Sequence, residues 1–134
     1  MSKIIDVEGI GPVYAQKLEI VGIASTEDLL EMGASPQGRK DLAEKTGLDG
    51  GMILRWVNHA DLFRIKGVGE EYADLLEAAG VDTVPELAQR NAENLLQKVT
   101  EVNEQKSLVR ALPRLDQLQD WIGQAKKLPR KVEY

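Results

Sequence analysis

Two short segments of this sequence have the residue types and spacing to bind a phosphate group. Residues 9–11 read Gly-Ile-Gly and residues 67–69 read Gly-Val-Gly, and we call them the first and second glycine turns. In such a turn the hydrophobic side chain enters the core while successive backbone N–H groups point to one side. Where a helix follows, the N–H groups of its first turn carry positive partial charge. The chemistry predicted here is therefore the non-covalent binding of an anion.

Both turns belong to an internal repeat. A shift of 58 residues places 5–15 on 63–73. The two glycines of the first turn then fall on the two glycines of the second, and Tyr14 falls on Tyr72. The match continues with Leu18 on Leu76 and with Gly22 on Gly80. Four glycines in register with an aromatic residue indicate duplication of one backbone geometry.

The elements that position the turns are predicted to be helices. After each turn apolar residues recur at helical spacing, as Tyr14, Leu18 and Val21 and as Tyr72, Leu76 and Ala79. Gly22 and Gly80 stand where a helix ends in a left-handed residue. Later helix boundaries are marked by capping signals, which are Ser25 with Asp28, Thr83 with Glu86, Ser35 with Pro36, and then Gly47, Asp49, Asn91 and Pro113.

These boundaries predict an all-α fold. No segment alternates like a β-strand, and apolar spacing around Trp56 and around Trp121 predicts two equivalent closing helices with both indoles in the core. The expected architecture is two related helical bundles packed together. The first covers residues 1–61, and the second covers residues 62–134 and includes extended basic C-terminal helices.

Composition excludes several classes of function. The 134 residues contain no cysteine and one histidine, His59, so a thiol nucleophile, a disulfide framework and a zinc site are excluded. We expect His59 to face solvent, and we expect no enzyme, cofactor or small-molecule substrate. No signal peptide or membrane span is recognised, so a cytoplasmic location without membrane association is expected. The sequence does not specify the oligomeric state.

The two glycine turns resemble the helix-hairpin-helix motif, in which paired hairpins hold the DNA backbone without reading sequence. A larger part of the chain, including residues 56–62, 64–69 and 121–128, resembles the bacterial domain-of-unknown-function family "four-three-three-two". This resemblance covers nearly the whole chain. It implies tandem helix-hairpin-helix bundles of the sterile-alpha-motif-like kind, and it implies no assigned activity.

The charges around the two turns differ. The second turn is followed by Glu70, Glu71 and Asp74, which complement the helix dipole internally and repel phosphate unless Arg64 and Lys66 reach the site. The first turn follows Glu8 and precedes Pro12 and Lys17. The first turn is the better candidate for a phosphate.

The C-terminal segment is the basic part of an acidic chain. The net charge is −5, but residues 105–134 carry 7 basic and 3 acidic side chains. These cations either supply the attraction to DNA that the turns lack or complement helix C-termini and solvate a tail. Lys106, Arg110 and Arg114 would align only if one helix continued through Pro113, which proline disfavours.

Two functions follow from these features. The first is non-enzymatic, sequence-independent binding of DNA through backbone contacts, and the alternative is a protein-interaction module whose turns are purely structural. The residues expected to contact nucleic acid are Gly9, Ile10, Gly11, Val13, Lys17, Arg64, Lys66, Gly67, Gly69, Lys106, Arg110, Arg114, Lys126 and Lys127.

Overall fold

A computed structural model describes residues 3–7 and 9–134 of the chain, and this part is all-helical as predicted. A short 3-10 helix, Ile4–Asp6, precedes eight α-helices. These are α1 (Pro12–Ile20), α2 (Thr26–Met32), α3 (Pro36–Thr46), α4 (Gly50–Leu62), α5 (Glu70–Ala78), α6 (Val84–Ala88), α7 (Ala92–Lys106) and α8 (Leu115–Lys127). Among the described residues the only strand-like pairing is an isolated bridge between Lys3 and Ser25. None of their helices is both long and apolar enough to cross a bilayer.

The helices form two compact units. Unit 1 consists of the described residues up to Asp61 together with Lys131–Tyr134, and unit 2 is Leu62–Arg130. The last four residues were expected with the second bundle, but they pack with unit 1. The Glu133 N–H donates to the Ala34 carbonyl at 2.7 Å, the Arg39 guanidinium donates to the Glu133 carbonyl at 2.6 Å, and Val132 is buried.

Glycine ends the first helix of each repeat, as predicted. Gly22 and Gly80 have φ of 92° and 93° and follow the C-cap residues of α1 and α5. In α1, the Gly22 N–H donates to the Glu19 carbonyl and the Ile23 N–H to the Leu18 carbonyl, both at 3.0 Å. This pair of bonds is a Schellman motif, and the same pattern closes α5.

The N-terminus of α2 confirms its predicted capping box. The Asp28 N–H donates to the Ser25 hydroxyl at 3.1 Å, and the Ser25 N–H donates to the Asp28 carboxylate at 3.2 Å. The equivalent prediction for α6 is wrong. Thr83 makes no side-chain cap, and its hydroxyl donates to the Glu86 carboxylate at 3.3 Å.

The remaining boundary signals act as predicted. The side chains of Ser35, Asp49 and Asn91 accept backbone N–H groups at the starts of α3, α4 and α7. Gly47 ends α3 with a φ of 74°, and Pro113 lies between α7 and α8. Local capping chemistry therefore sets where most of these helices begin and end.

Each unit has its own apolar core around a tryptophan. In unit 1, Trp56 is 2% exposed and Leu18, Ile23 and Ile53 are fully buried. In unit 2, Trp121 is also 2% exposed and belongs to a buried cluster that α5, α6, α7 and α8 all supply. The prediction that both tryptophans lie in the core is confirmed.

The prediction that His59 faces solvent is wrong, since only 1% of this residue is exposed. Every residue from 56 to 62 in α4 is buried. A helix segment enclosed on all sides has no solvent face, so helical spacing could not separate His59 from the core positions beside it.

Candidate anion-binding turns

The two glycine turns have nearly the same backbone geometry. Gly9 and Gly67 lie in the left-handed region with φ of 90° and 98°, where an L side chain is strained. Gly11 and Gly69 are the N-cap residues of α1 and α5, with φ of −89° and −97°. The middle residues, Ile10 and Val68, are 4% and 6% exposed, so the hydrophobe enters the core as predicted.

An aromatic pair supports each turn. In unit 1 the ring centroids of Tyr14 and Trp56 are 5.4 Å apart at an interplanar angle of 52°. In unit 2 the rings of Tyr72 and Trp121 are 5.2 Å apart at 56°. These are tilted arrangements that aromatic rings favour. The duplicated backbone is therefore held by a duplicated contact between the helix after the turn and the closing helix of the unit.

The N-terminus of α1 has the features that an anion site needs. Within the described residues no side chain caps it, and its first turn, which begins at the exposed Pro12, contains no acidic residue. The N–H groups of Val13 and Tyr14 lie in the first turn, where a helix supplies no carbonyl acceptor. Val13 is 66% exposed, so this end of the helix is open to solvent.

Two cations flank the first turn, and one of them was missed in the sequence. Lys17 is exposed in the last turn of α1, one helical turn beyond Val13 on the same face. A Cβ atom built on Gly9 would stand 3.8 Å from Nη1 of Arg55, so the Arg55 guanidinium lies beside the turn. Arg55 comes from α4, and no local spacing in the sequence relates it to Gly9.

The second turn has the opposite electrostatics. Glu70 and Glu71 occupy the first turn of α5. When Trp121 is matched with Trp56, Asp120 stands where unit 1 has Arg55, and the Asp120 carboxylate accepts a hydrogen bond from Gln124 at 2.9 Å. The first turn of α5 is therefore acidic where that of α1 is neutral, and an aspartate takes the place of Arg55.

Arg64 and Lys66, the cations expected to rescue the second turn, make different contacts. Arg64 donates to the Pro129 carbonyl at 2.6 Å. The Lys66 side chain is exposed, while its backbone N–H and carbonyl bond the Gln124 side chain at 2.8 and 3.1 Å. The Lys66 backbone bonds attach the turn to α8, and the Pro129 carbonyl gives Arg64 a structural partner.

A different cation reaches the second turn. Arg110 lines a groove of about 440 Å³ together with Gly67, Gly69, Glu70 and Glu71. The Tyr72 hydroxyl donates to the Ala111 carbonyl at 3.1 Å, which fixes the loop that carries Arg110 against α5. One guanidinium shares this groove with two carboxylates, so the charged side chains that line it are not predominantly cationic.

The other basic C-terminal residues do not form one helical stripe. Lys106 ends α7, and Arg114 is the N-cap residue of α8 and pairs with Asp116 at 3.1 Å in an exposed salt bridge. Lys126 and Lys127 lie in the last turn of α8, where they complement the helix dipole. Pro113 and the loop around it separate the two helices, as the sequence indicated. Glu8, expected before the first turn, lies outside the described residues.

The family model of a domain of unknown function, DUF4332, matches residues 8–128. No curated protein and no solved structure matches the chain. The matched region contains both glycine turns, their aromatic supports and both closing helices. Since it covers most of the sequence, the chain belongs to the DUF4332 family.

Proposed function

We propose that this protein is a non-enzymatic, helix-hairpin-helix DNA-binding module that holds the phosphate backbone at its first glycine turn. One observation carries the proposal. The N-terminus of α1 has no side-chain cap among the described residues and no acidic residue in its first turn, and it is flanked by Lys17 and Arg55. Exposed helix N–H groups with nearby cations are a general solution for binding phosphate.

The same turn favours binding without sequence preference. Gly11, Pro12 and Val13 offer no side-chain groups that could hydrogen-bond base edges, whereas backbone N–H groups and flexible cations suit phosphate oxygens. We infer that the protein binds different duplex sequences with similar affinity. The proposal places this activity in the cytoplasm.

The number of phosphate contacts is expected to be small. The second turn carries Glu70 and Glu71, so the proposal assigns the phosphate contacts to unit 1. For about three phosphate contacts, affinity should fall roughly 40-fold between about 50 and 200 mM salt. Binding should therefore be weak and strongly salt-dependent, in keeping with the net charge of −5.

The test is a titration of the full chain into fluorescein-labelled duplexes of unrelated sequence, followed by anisotropy at increasing salt. Lys17→Glu and Arg55→Glu should each weaken binding to every duplex by about tenfold and reduce the salt slope by about 1. Lys40→Glu is the matched control, because Lys40 is an exposed lysine of the same unit on α3. Thermal unfolding of all three variants verifies that each one is folded.

Two results would overturn the proposal. Flat anisotropy traces at low salt would show that the chain does not bind DNA, and the glycine turns would then be structural elements only. An equal loss of affinity in all three variants would reflect net charge and not a site at the first turn.

A further inference from the structure

Unit 2 contains a second groove, and none of the residues that line it belongs to the glycine turn. Helices α6 and α8 pack against each other, and a groove of about 440 Å³ opens where both helices end. Its apolar wall is made by Pro85 and Ala88 of α6, Ala125 of α8, and Leu128, the C-cap residue of α8. We call this the α6–α8 groove.

Cationic side chains line the same groove. Lys126 and Arg130 line it beside the apolar wall. Both are exposed, and Arg130 also interacts with another group of the protein. The remaining lining residue is the amide Gln89, so the lining contains no carboxylate. An apolar wall with cations at its margin fits a ligand that combines apolar groups with negative charge.

We propose that the α6–α8 groove binds an acidic peptide segment of a partner protein, with apolar side chains on the groove wall and carboxylates beside Lys126 and Arg130. This interaction goes beyond the proposed binding of DNA and uses a different part of the chain. It gives Lys126 a carboxylate partner in place of the phosphate expected from the sequence.

The shape and chemistry of the groove favour a peptide over other anionic ligands. The groove is open to solvent, whereas a small amphipathic molecule such as a fatty acid needs a cavity that encloses most of its surface. Its wall consists of alanine, proline and leucine, so it lacks the aromatic platforms on which single-stranded bases stack. Leucine-type side chains on a peptide match such a wall.

The cations of the groove favour an acidic partner only at short range. The whole chain carries a net charge of −5, so an acidic partner gains no long-range attraction from the protein as a whole. The favourable interaction is confined to the cations at the groove. Screening by salt should therefore weaken binding, while the apolar wall keeps part of the affinity.

The experiment uses the full chain and a short fluorescein-labelled peptide in which leucine alternates with glutamate. Two comparison peptides replace every glutamate by glutamine or every leucine by serine. We expect the leucine–glutamate peptide to bind at least about tenfold more tightly than either. The double variant Lys126→Glu with Arg130→Glu should lose about tenfold in affinity. Lys98→Glu is the control, because Lys98 is exposed on α7 and does not line the groove.

The Ala88→Arg variant and an NMR measurement locate the binding site. A long side chain at Ala88 should obstruct the groove and abolish peptide binding, and the methyl resonances of Ala88 and Ala125 should shift on addition of peptide. The proposal is overturned if the peptide does not bind, if the two methyl groups do not shift, or if Lys98→Glu weakens binding as much as the double variant. Displacement of the bound peptide by duplex DNA that persists in Lys17→Glu would assign the groove to nucleic acid and overturn the proposal.

Discussion

The indole of Trp121 lies directly against Gly67, so that a Cβ atom built on this glycine would stand 2.9 Å from the indole Nε1. Trp56 and Gly9 have the same relationship in unit 1, where the equivalent separation is 3.4 Å. A left-handed glycine is thus covered by the tryptophan of the closing helix in both repeats. At Gly67 both the φ angle and the closeness of the indole require glycine, whereas at Gly9 the φ angle alone does.

Gly67→Ala should destabilise the protein by about 2–4 kcal/mol, because it adds left-handed strain and overpacking against Trp121. Gly69→Ala is the matched control, since Gly69 has a φ of −97° and a Cβ built there meets no described atom within 4 Å. We expect the control to change the free energy of unfolding by less than about 1 kcal/mol. Urea denaturation measures both. Similar values for the two variants would contradict the role of the indole contact.

Features that depend on the backbone preference of a single residue could be predicted from the sequence. Gly22, Gly47 and Gly80 were identified because only glycine readily adopts the positive φ that ends these helices. The all-α class and most helix starts followed from capping chemistry in the same way. The two glycine turns were recognised because the repeat aligned them.

The sequence was insufficient where tertiary packing decides the outcome. His59 was misplaced because the end of α4 is enclosed on every side. The Thr83 hydroxyl bonds the Glu86 side chain and forms no backbone cap, although the spacing of the two residues is that of a capping box. Arg55 was missed at the first turn because α4 brings it there from a distant part of the chain. None of these arrangements has a signature in local spacing.

The capping difference between α2 and α6 should be measurable. Ser25→Ala removes a hydroxyl that accepts a hydrogen bond from the Asp28 N–H. We expect this change to lower the free energy of unfolding by about 1 kcal/mol. Thr83→Val keeps the shape of a buried side chain and removes a hydroxyl that caps no backbone group. Thr83→Val should lower the free energy of unfolding by less than Ser25→Ala does. Chemical denaturation of both variants tests this order, and a larger loss for Thr83→Val would contradict it.

The same capping box predicts a pH dependence. Hydrogen bonds from the Ala24 N–H, the Ser25 hydroxyl and the Ser25 N–H lower the pKa of Asp28 below its ordinary value of 3.8. A carboxyl group with a lowered pKa stabilises the folded state above its unfolded-state pKa and loses this contribution as pH falls through the folded-state value. The stability difference between the native protein and Asp28→Ala should be constant near neutral pH and shrink below about pH 3.8. Denaturation series at several pH values measure it, and a difference that stays constant into acid would exclude this linkage.

Arg39 should be essential for unit 1. Its guanidinium donates to the carbonyls of Gly33 and Ala34 and to the Glu133 carbonyl in the C-terminal segment. Burial lowers the pKa of this guanidinium, but arginine stays charged at neutral pH. Arg39→Met keeps the aliphatic part of the side chain and leaves these carbonyls without their donor. It should therefore lower the free energy of unfolding by about 2–4 kcal/mol. Lys40→Met, at an exposed neighbouring position, is the control and should be nearly neutral. Equal effects of the two variants in thermal and urea unfolding would contradict the structural role of these hydrogen bonds.

If DNA binding at the first glycine turn depends on charge, the second turn should gain affinity when its carboxylates are replaced. The two turns share their backbone geometry, and they differ in the first turn of the following helix, where Glu71 stands in place of Val13. Glu71→Lys removes a repulsive charge and adds a cation near the exposed N–H groups of α5. We expect DNA affinity at low salt to rise by about tenfold for all duplex sequences, and the salt slope to steepen by about 1.

Glu93→Lys changes the net charge equally at an exposed site on α7 and serves as the control. Because phosphate must reach the N-terminus of α5 for this gain to occur, unchanged affinity in Glu71→Lys, or an equal gain in Glu93→Lys, would exclude the second turn from the DNA-binding surface.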